Sequence, residues 1–567
     1  MKRKVLPIGK SDFRKIRESE TDNYYVDKTL MIRDFIESDK EVSLITRPRR
    51  FGKTLNMTMI RDFFDITEES CSIFEGLDIM NTEYKTSMNS RPVVFLTLKG
   101  CTGENVSELV MSVAKVLLKS YLKYEKIFST KVDAKSNDYF GFYRIFSMLK
   151  ELAVEREFDA ELEIKNLYRM DETLFKIGLQ ELLKAIYSFY KIRPILIIDE
   201  YDNPIIEAHQ GEFRKKFTNI YGSFLTNALK DNPDLHQAIL TGIQRVAKES
   251  IFSKLNNAVV YTVIDKKYAS YFGLTTDETQ TMLEYYDLSL NKDVTNHYDG
   301  YVFGGVEIYN PWSVLNYADK REIQNYWVQT STNALIHESI EVAAYDFFYE
   351  FERLITGEVV NVGLNLSASF IELAETETLW GLFVNAGYLT VTEIDYILND
   401  FLIRIPNKEI VTEFKRLVAT YTKLSSQMMQ RMFMALMKKQ MDEFLKIYQQ
   451  LVLESTSYYD NKENAYHMLF LGMVMNLRDI YEIHSNIEMG NGRTDIVMRS
   501  KSNERPHIVI EFKQGKNVDE LKLDALAQIH EKQYYGGLTG QIMCLGVAHD
   551  KKRVGMIHET IVLAQIE

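Results

Sequence analysis

The segment 46–54, with the sequence TRPRRFGKT, limits what this chain can fold into more than any other feature. It follows a mostly apolar run and precedes a helix-like stretch. Gly52, Lys53 and Thr54 fit the end of the G-x-x-x-x-G-K-[ST] pattern, which joins a strand to a helix in loops that bind phosphate. The first glycine of the pattern would fall where the chain has Arg47. The segment therefore predicts an α/β nucleotide-binding domain with an unusual loop.

The residues of this loop suit the phosphates of a nucleotide. Successive backbone N–H groups and the N-terminus of the following helix direct positive partial charge at phosphate oxygens. We expect Lys53 to reach the β- and γ-phosphates and Thr54 to offer its hydroxyl to Mg²⁺. The arginines of the loop either touch phosphates or pair with acidic groups elsewhere in the domain. The loop residues predicted to bind ATP are Arg49, Arg50, Phe51, Gly52, Lys53 and Thr54.

A second segment ends in acids that suit the same site. Residues 195–198 are apolar and predict a buried parallel strand, and Asp199 and Glu200 follow them. Ligands of open α/β sheets bind at the carboxyl ends of strands, so we expect Asp199 to hold the Mg²⁺ shell and Glu200 to orient or deprotonate the attacking water. A later apolar run ends at Thr241, which is predicted to sense the γ-phosphate. Arg245 follows as a candidate arginine finger, with an ordinary surface arginine as the alternative.

The C-terminal part carries a different set of charged residues. Asp495 begins one apolar strand candidate, and Glu511 and Lys513 lie on the next. Because strand side chains alternate between faces, Glu511 and Lys513 project to the same side, and Asp495 joins them if the two strands pair. Two carboxylates that hold Mg²⁺ and a lysine that positions or activates water suit metal-assisted phosphodiester hydrolysis. Residues that could complete this site, although each is more often a solvated residue, are Glu463, Glu488 and Gln528.

Several motifs together resemble a known family. Besides the loop, these are YYVDKT at 24–29, IDEYD at 198–202, LTG at 240–242 with SKLNN at 253–257, and YNPWS at 309–313. They resemble the AAA-ATPase-like proteins that are abundant in anaerobic bacteria. The C-terminal GRTD and EFK elements look like the PD-(D/E)XK nuclease-superfamily domain that usually ends such chains. The resemblance implies that Arg47 is normal for the family. It also implies that Asp495, Glu511 and Lys513 occupy nuclease active-site positions, although Thr494 replaces the usual proline.

Composition limits the classes of protein that remain. A chain of 567 residues should form more than one domain. A net charge of −12 argues against a globally basic nucleic-acid surface, although it leaves room for local basic grooves. Three widely spaced cysteines favour a reducing cytoplasm, and no apolar run is long enough to span a bilayer. We therefore predict a cytoplasmic protein without membrane contact and leave homo-oligomerisation open.

The motifs and periodicities predict four regions. Residues 1–265 should form a P-loop AAA-like ATPase domain, with a parallel sheet flanked by helices. Residues 266–325 should form a lid or winged-helix-like module with a β-hairpin at 301–303, which either touches DNA or packs on the ATPase core. Residues 326–455 are predicted to be predominantly helical. Residues 456–567 should form an α/β, restriction-endonuclease-like PD-(D/E)XK domain.

These parts predict an enzyme. The favoured reading is an ATPase coupled to a Mg²⁺-dependent nuclease that acts on nucleic acid, with DNA as the favoured substrate. The alternative is a signalling or partner-binding ATPase whose nuclease-like domain recognises without cutting. A protein-remodelling ATPase comes last, because pore-loop aromatics and a second ATPase module are not evident. ATP and Mg²⁺ are the predicted cofactors. The predicted metal ligands are Thr54, Asp199, Asp495 and Glu511.

Overall fold

The structure is a computed structural model that describes most of the chain. The described residues are 3–129, 136, 138–154, 171–208, 211, 213–245, 257–327, 345–366, 375–421, 426–455, 470, 474, 477, 480–502, 504–550 and 553–563. They form two compact units, and each unit is discontinuous in sequence. The first comprises Met1–Gln329 and Val362–Phe401, and the second comprises Thr330–Asn361 and Leu402–Glu567. This division into two units does not test the domain boundaries predicted at 265, 325 and 455, which stay predictions.

The first unit is built on a parallel sheet. Its strands are β1 Val42–Thr46, β2 Val93–Thr97, β3 Ile195–Asp199, β4 Gln237–Gly242 and β5 Ala258–Tyr261. They lie in the order β2-β3-β4-β1-β5, and every neighbouring pair is parallel. The runs of Val, Ile and Leu explain why β1, β3 and β4 are buried along their whole length, as strands covered by helices on both faces should be. The sheet confirms the predicted P-loop fold class.

Helices flank this sheet. They are α1 Phe13–Arg17, α2 Leu30–Ser38, α3 Lys53–Phe64, α4 Cys71–Phe74, α5 Val106–Phe128, α6 Phe140–Val154, α7 Glu172–Tyr190, α8 Asn203–Ala208 and α9 Arg214–Leu229, with 3₁₀ helices at Asp78–Asn81 and Glu83–Ser87. Side-chain caps fix the starts of the long helices. Asn105 accepts from the backbone N–H of Glu108 at the start of α5, and Asp171 caps α7 in the same way. The apolar stripes of α5, α7 and α9 pack together beside the sheet.

A small mixed module follows the parallel sheet. It contains a 3₁₀ helix Ala269–Tyr271, β6 Leu274–Thr275, α10 Thr276–Tyr285, α11 Lys292–Tyr298, β7 Tyr301–Phe303, β8 Val306–Tyr309 and α12 Pro311–Lys320. Strands β7 and β8 pair as an antiparallel hairpin, which confirms the predicted hairpin at 301–303. Thr275 and Glu278 form a capping box that starts α10. Asn310 caps α12, and Pro311 occupies its first turn.

The next part of the chain is mostly helical among its described residues. Its elements are α13 Tyr345–Thr356, β9 Val360–Gly363, α14 Thr376–Ala386, β10 Thr390–Asp395, β11 Asp400–Arg404, α15 Lys408–Tyr421, α16 Ser426–Met437 and α17 Met441–Ser455. The prediction of a helical region at 326–455 missed the three strands. The sequences TVTEID and DFLIR are rich in β-branched and apolar residues at alternate positions, and this pattern favours strands.

The second unit ends in a mixed sheet. Its strands are β12 Tyr481–Met489, β13 Gly492–Ser500, β14 His507–Gln514, β15 Gly540–Asp550 and β16 Arg553–Leu563, and α18 Val518–Glu531 connects β14 to β15. The spatial order follows the sequence, and only β14 and β15 are parallel. Val497 and Val509 face a core that includes Ile529 of α18, whereas Ile496 and Ile510 face the larger core on the other side. This sheet confirms the predicted C-terminal α/β fold.

A helix that crosses a bilayer must be long and consistently apolar. Among the helices that the structure describes, none meets that requirement.

Candidate functional site

The loop between β1 and α3 leads directly into the start of a helix. Gly52 caps α3 with a φ of 85°, a left-handed conformation that favours glycine. Arg50 also has a positive φ, of 71°. The Nζ of Lys53 donates to the carbonyl oxygens of Arg47 at 2.8 Å and Pro48 at 2.9 Å. Burial lowers the pKa of Lys53, although the nearby acids oppose this shift. The predicted phosphate-binding lysine is therefore anchored within the loop.

Asp199 connects three elements at the carboxyl end of the parallel sheet. Its side chain is fully buried. The hydroxyl of Thr54 donates to its Oδ2 and that of Thr241 to its Oδ1, each at 2.7 Å. These contacts arise because β4 lies between β3 and β1, so that the ends of all three strands meet beside α3. The structure thus brings together three of the residues predicted to bind ATP and Mg²⁺, and their oxygens suit a hard cation.

Two further acids follow Asp199. Glu200 has a left-handed φ of 55°. Burial and the charge of Asp199 raise the pKa of Glu200, while Lys53 opposes the shift. Asp202 is also buried, and its Oδ2 accepts from the backbone N–H of Ile243 at 2.7 Å and Gln244 at 2.8 Å. Sequence analysis assigned Asp202 no role, although its place in the IDEYD motif was a usable signal.

Arg245 is the last described residue before a gap in the described chain. It lies three residues beyond β4 and is partly buried. Residues 246–256 lie outside the described residues, and most of the motif at 253–257 falls with them. The assignment of Arg245 as an arginine finger stays a prediction.

Arg47 points into the protein interior. Its side chain is fully buried, and its Nη1 donates to the carbonyl oxygens of Thr46 at 2.8 Å and Tyr261 at 3.1 Å. Its guanidinium carbon lies 5.2 Å from the ring centroid of Phe272 and 5.6 Å from that of Phe303. Burial lowers the pKa of Arg47 to about 9. The arginine that replaces the first glycine is thus committed to packing within the protein.

The other two arginines of the loop lie nearer the surface. Arg50 is exposed, and its guanidinium carbon lies 4.1 Å from the ring centroid of Trp312. Although the residue as a whole is exposed, partial desolvation of its guanidinium beside Trp312 lowers the pKa of Arg50, and the charge of Arg49 adds to the shift. The carbonyl oxygen of Arg49 accepts from the indole Nε1 of Trp327 at 3.4 Å. Whether Arg49 and Arg50 contact phosphates stays a prediction.

The C-terminal sheet brings its predicted residues together. Asp495 on β13 and Glu511 on β14 lie beside each other, since Ile496 pairs with Ile510. The backbone N–H of Phe512 donates to Asp495 Oδ2 at 2.7 Å, and that of Asp495 donates to Glu511 Oε2 at 3.4 Å. The Nζ of Lys513 lies 3.6 Å from Glu511 Oε1. The two carboxylates and the lysine therefore form one cluster.

A helix supplies a fourth member of this cluster. Gln528 on α18 accepts from Lys513 Nζ at 2.5 Å, donates to Glu511 Oε1, and donates to the hydroxyl of Tyr534 at 3.0 Å. Of the three additional candidates, Gln528 is the one that the described structure places in the site. Glu488 is exposed and pairs with Arg493 across β12 and β13, while Glu463 lies outside the described residues.

Comparison with known proteins finds two matching families, one in each part of the chain. Residues 7–252 match the family model of a predicted AAA-ATPase, and residues 461–559 match that of the PD-(D/E)XK nuclease superfamily. Two separate regions of the chain are thus similar to these two families. The resemblance inferred from the motifs is thereby confirmed.

One curated protein is similar over most of its length. It is described as an uncharacterized protein in the vnfD 5' region of Azotobacter chroococcum mcd 1. It is 27% identical over 420 residues, which cover 72% of this chain and 69% of that protein. No solved structure matches the chain.

The charges of the nuclease-superfamily domain suit a divalent cation. Burial raises the pKa of Glu511 to about 8, and the neighbouring charge of Asp495 adds to the shift, while Lys513 opposes it. Two carboxylates this close repel each other, and a cation between them would remove that repulsion. Within the described residues, no three His, Cys, Asp or Glu side chains group as a metal site. A cation here would therefore take two carboxylates and fill its shell with water or main-chain oxygens, as Mg²⁺ commonly does.

Proposed function

We propose that this protein is an ATP-hydrolysing ATPase coupled to a Mg²⁺-dependent nuclease that cuts nucleic acid, with DNA as the favoured substrate. The observation that carries the proposal is the position of Asp199. It accepts the hydroxyls of Thr54 and Thr241 beside the helix start that bears Lys53. This arrangement supplies a cation, a hydroxyl and a carboxylate where the phosphates of a nucleotide would lie.

In the ATPase domain, each predicted residue has a distinct task. Lys53 and the N–H groups at the start of α3 bind the phosphates, and Thr54 and Asp199 would hold Mg²⁺. Bound Mg²⁺ would offset the charge of the phosphate oxygens. Water attacks the γ-phosphorus, the bond to the bridging oxygen breaks, and ADP leaves with the electron pair. Glu200 accepts the proton of the water, a task that its raised pKa favours.

In the nuclease-superfamily domain, Asp495 and Glu511 would hold Mg²⁺, which would supply charge stabilisation at the scissile phosphate. Lys513 positions the attacking water, and Gln528 holds Lys513 and Glu511 in register through its two hydrogen bonds. The water oxygen forms a bond to phosphorus and loses a proton to solvent. The bond to the leaving sugar oxygen breaks, and that oxygen takes the electron pair and then a proton from solvent.

A second function is a signalling or partner-binding ATPase whose C-terminal domain recognises without cutting. The net charge of −12 favours it, because a strongly acidic protein is repelled by the nucleic-acid backbone. In either case we place the protein in a reducing cytoplasm. Its three cysteines, Cys71, Cys101 and Cys544, are all free thiols, as a reducing compartment favours.

The test is a cleavage assay on single- and double-stranded DNA and RNA, with Mg²⁺ or Mn²⁺, in the presence and absence of ATP. The wild type is compared with Lys53→Ala and Asp495→Ala, and with the exposed-site control Lys85→Ala. We expect metal-dependent cutting that Asp495→Ala abolishes and that loses its ATP response in Lys53→Ala. A wild type that cuts nothing under any condition would favour the non-cutting function. If cleavage by Lys53→Ala responds to ATP as the wild type does, only the proposed coupling between the two activities is contradicted.

A further inference from the structure

The nucleotide loop is surrounded by aromatic residues from far downstream in the chain. The contact between the Arg49 carbonyl and the Trp327 indole, for example, joins residues that are 278 positions apart. Consecutive loop residues from Arg47 to Phe51 each touch this downstream region, either through a ring or through Gly387. We call the rings the aromatic cradle. Its members are Phe272, Tyr301, Phe303, Trp312 and Trp327.

The cradle holds the first loop residue through its charge. The guanidinium of Arg47 lies over the rings of Phe272 and Phe303, which attract a cation through their π faces. Its Nε and Nη2 are buried and have no hydrogen-bond partner among the described residues. A buried guanidinium with unsatisfied donors is costly, so this arrangement persists only because the surroundings enforce it. The first turn of the loop therefore depends on the cradle.

The cradle also packs around the residue before Gly52. Phe51 is fully buried, and its ring centroid lies 5.0 Å from that of Tyr301 and 5.1 Å from that of Phe303. Packing here leaves no slack: a Cβ on Gly273 would lie 2.3 Å from Ile308 Cγ2 and 3.1 Å from Phe51 Cδ1. The hairpin that was expected either to touch DNA or to pack on the ATPase core thus packs its aromatic residues on the loop.

The middle of the loop makes two further contacts, of Pro48 with Gly387 and of Arg50 with Trp312. A Cβ on Gly387 would lie 2.9 Å from Pro48 Cβ, and the carbonyl of Gly387 accepts from the hydroxyl of Tyr301 at 2.9 Å. Arg50 has a left-handed backbone conformation, which residues other than glycine rarely adopt. Its stacking on Trp312 supports this conformation.

We propose that the aromatic cradle takes over the shaping task of the missing first glycine, and that its rings are positioning residues of the nucleotide site. This inference rests on the proposed binding of ATP. Lys53 donates to the carbonyls of Arg47 and Pro48, so reaching a phosphate changes its bonds to the loop. Because closely packed groups shift together, that change passes to Trp312 and Trp327. Nucleotide binding and the position of the downstream module are thereby coupled.

The full-length protein offers a direct readout, because it has three tryptophans and two of them are in the cradle. Binding of radiolabelled ATP with Mg²⁺ is measured by equilibrium dialysis, and tryptophan fluorescence is followed in the same titration. We expect a fluorescence change that saturates with the dialysis curve. It should shrink in both Trp312→Phe and Trp327→Phe, and the two losses together should account for most of the wild-type change. It should persist in the control Trp380→Phe, which removes a buried tryptophan of α14 that is not part of the cradle.

Positioning is tested by affinity. Arg47→Gly restores the usual pattern of the loop, yet we expect it to weaken ATP binding at least tenfold, because the cradle then has no cation to hold. Trp312→Ala, which removes a ring beside the exposed Arg50, should weaken binding about as much without shifting the thermal unfolding midpoint by more than a few degrees. If the wild type binds no ATP in dialysis, the proposed function fails. If it binds and both variants bind equally well, or if no tryptophan responds, the cradle inference fails alone.

Discussion

The acid centre at Asp199 and the acid centre at Glu511 are assembled in opposite ways. The hydrogen-bond partners of Asp199 are distant from it in sequence, since Thr54 is 145 residues away and Thr241 is 42 residues away. Glu511 and Asp495 are 16 residues apart on adjacent strands, and Gln528 follows Glu511 by 17 residues. The first centre therefore exists only when the strands take their order in the sheet, whereas the second needs a local strand pair and the helix that follows it.

The lysines of the two centres also differ, in the partners that their ammonium groups contact. Lys53 donates to two neutral carbonyl oxygens of its own loop. Lys513 lies 3.6 Å from a carboxylate oxygen and donates to Gln528. The direct hydrogen bonds of Lys53 go to neutral acceptors, which an arriving phosphate can replace, although acids lie nearby and burial lowers its pKa. A lysine that lies directly beside a carboxylate is already balanced and suits the positioning of water. The comparison predicts two centres that can be disabled separately.

The largest expected effect is at the second centre. Glu511→Gln removes one of two carboxylates that would hold Mg²⁺ while keeping the side-chain shape. We expect cleavage to fall on the order of 10²- to 10⁴-fold, with ATP hydrolysis unchanged. Initial rates of both reactions in one preparation measure this, with Glu488→Gln on β12, two strands away in the same sheet, as the matched control. Equal losses of both activities would mean that the two centres act as one.

The reciprocal change is at the first centre. Asp199→Asn keeps the volume but removes the charge that would hold Mg²⁺ beside Thr54. ATP hydrolysis should fall about 10²- to 10³-fold. A phosphate-release assay with Asp231→Asn as an exposed control measures the loss. Cleavage without ATP should stay at its wild-type rate, and a parallel fall in that rate would contradict the separation of the two centres.

A smaller effect tests the local assembly of the second centre. Gln528→Ala removes both hydrogen bonds that join Lys513 to Glu511, so cleavage should fall about 10- to 100-fold. The readout that separates positioning from general damage is the dependence of the rate on Mg²⁺ concentration. It should shift to higher Mg²⁺ in Gln528→Ala while the unfolding midpoint stays near that of the wild type. An unchanged Mg²⁺ dependence would assign Gln528 to folding only.

The smallest effect concerns stability rather than catalysis. His549 is buried in the second unit, its Nε2 pairs with the hydroxyl of Tyr448 at 2.9 Å, and burial lowers its pKa from 6.5 to about 3. The unfolded chain therefore binds the proton more readily. The stability contributed by neutral His549 is complete above pH 6.5 and falls as the pH drops toward 3, by at most about 1.4 kcal/mol per pH unit. Hydrogen exchange of peptides from β15 at pH 7 and pH 5 measures it.

The matched control for this effect is His549→Gln. It should be less stable than the wild type at pH 7 but lose less stability between pH 7 and pH 5. His236 in the first unit also has a pKa lowered by burial, to about 4, so peptides from β4 report whether acid weakens both units alike. An acid response confined to β4 would contradict the role given to His549.

The sequence was sufficient to predict those parts of the two sites that have a local sequence pattern. The GKT loop, the apolar strand before Asp199 and the alternation of Glu511 with Lys513 each follow from spacing alone. It could not reach the surroundings of Arg47, because no spacing tells which of many aromatic residues lies over a given guanidinium. The same limit hid the role of Asp202, whose partners are backbone N–H groups beyond another strand. Long-range geometry of this kind is set by the order of strands, and the sequence pattern carries no record of that order.

The interleaving of the two compact units has a consequence for anyone who wants to separate the activities. Residues 362–401 belong to the first unit although part of the second unit precedes them in the chain. A fragment that ends at residue 329 would lose Gly387, which packs against Pro48 and accepts the hydroxyl of Tyr301. No single crossover in the gene would exchange one unit for a homologous one intact. Point substitutions, not truncations, are therefore the means to separate its functions.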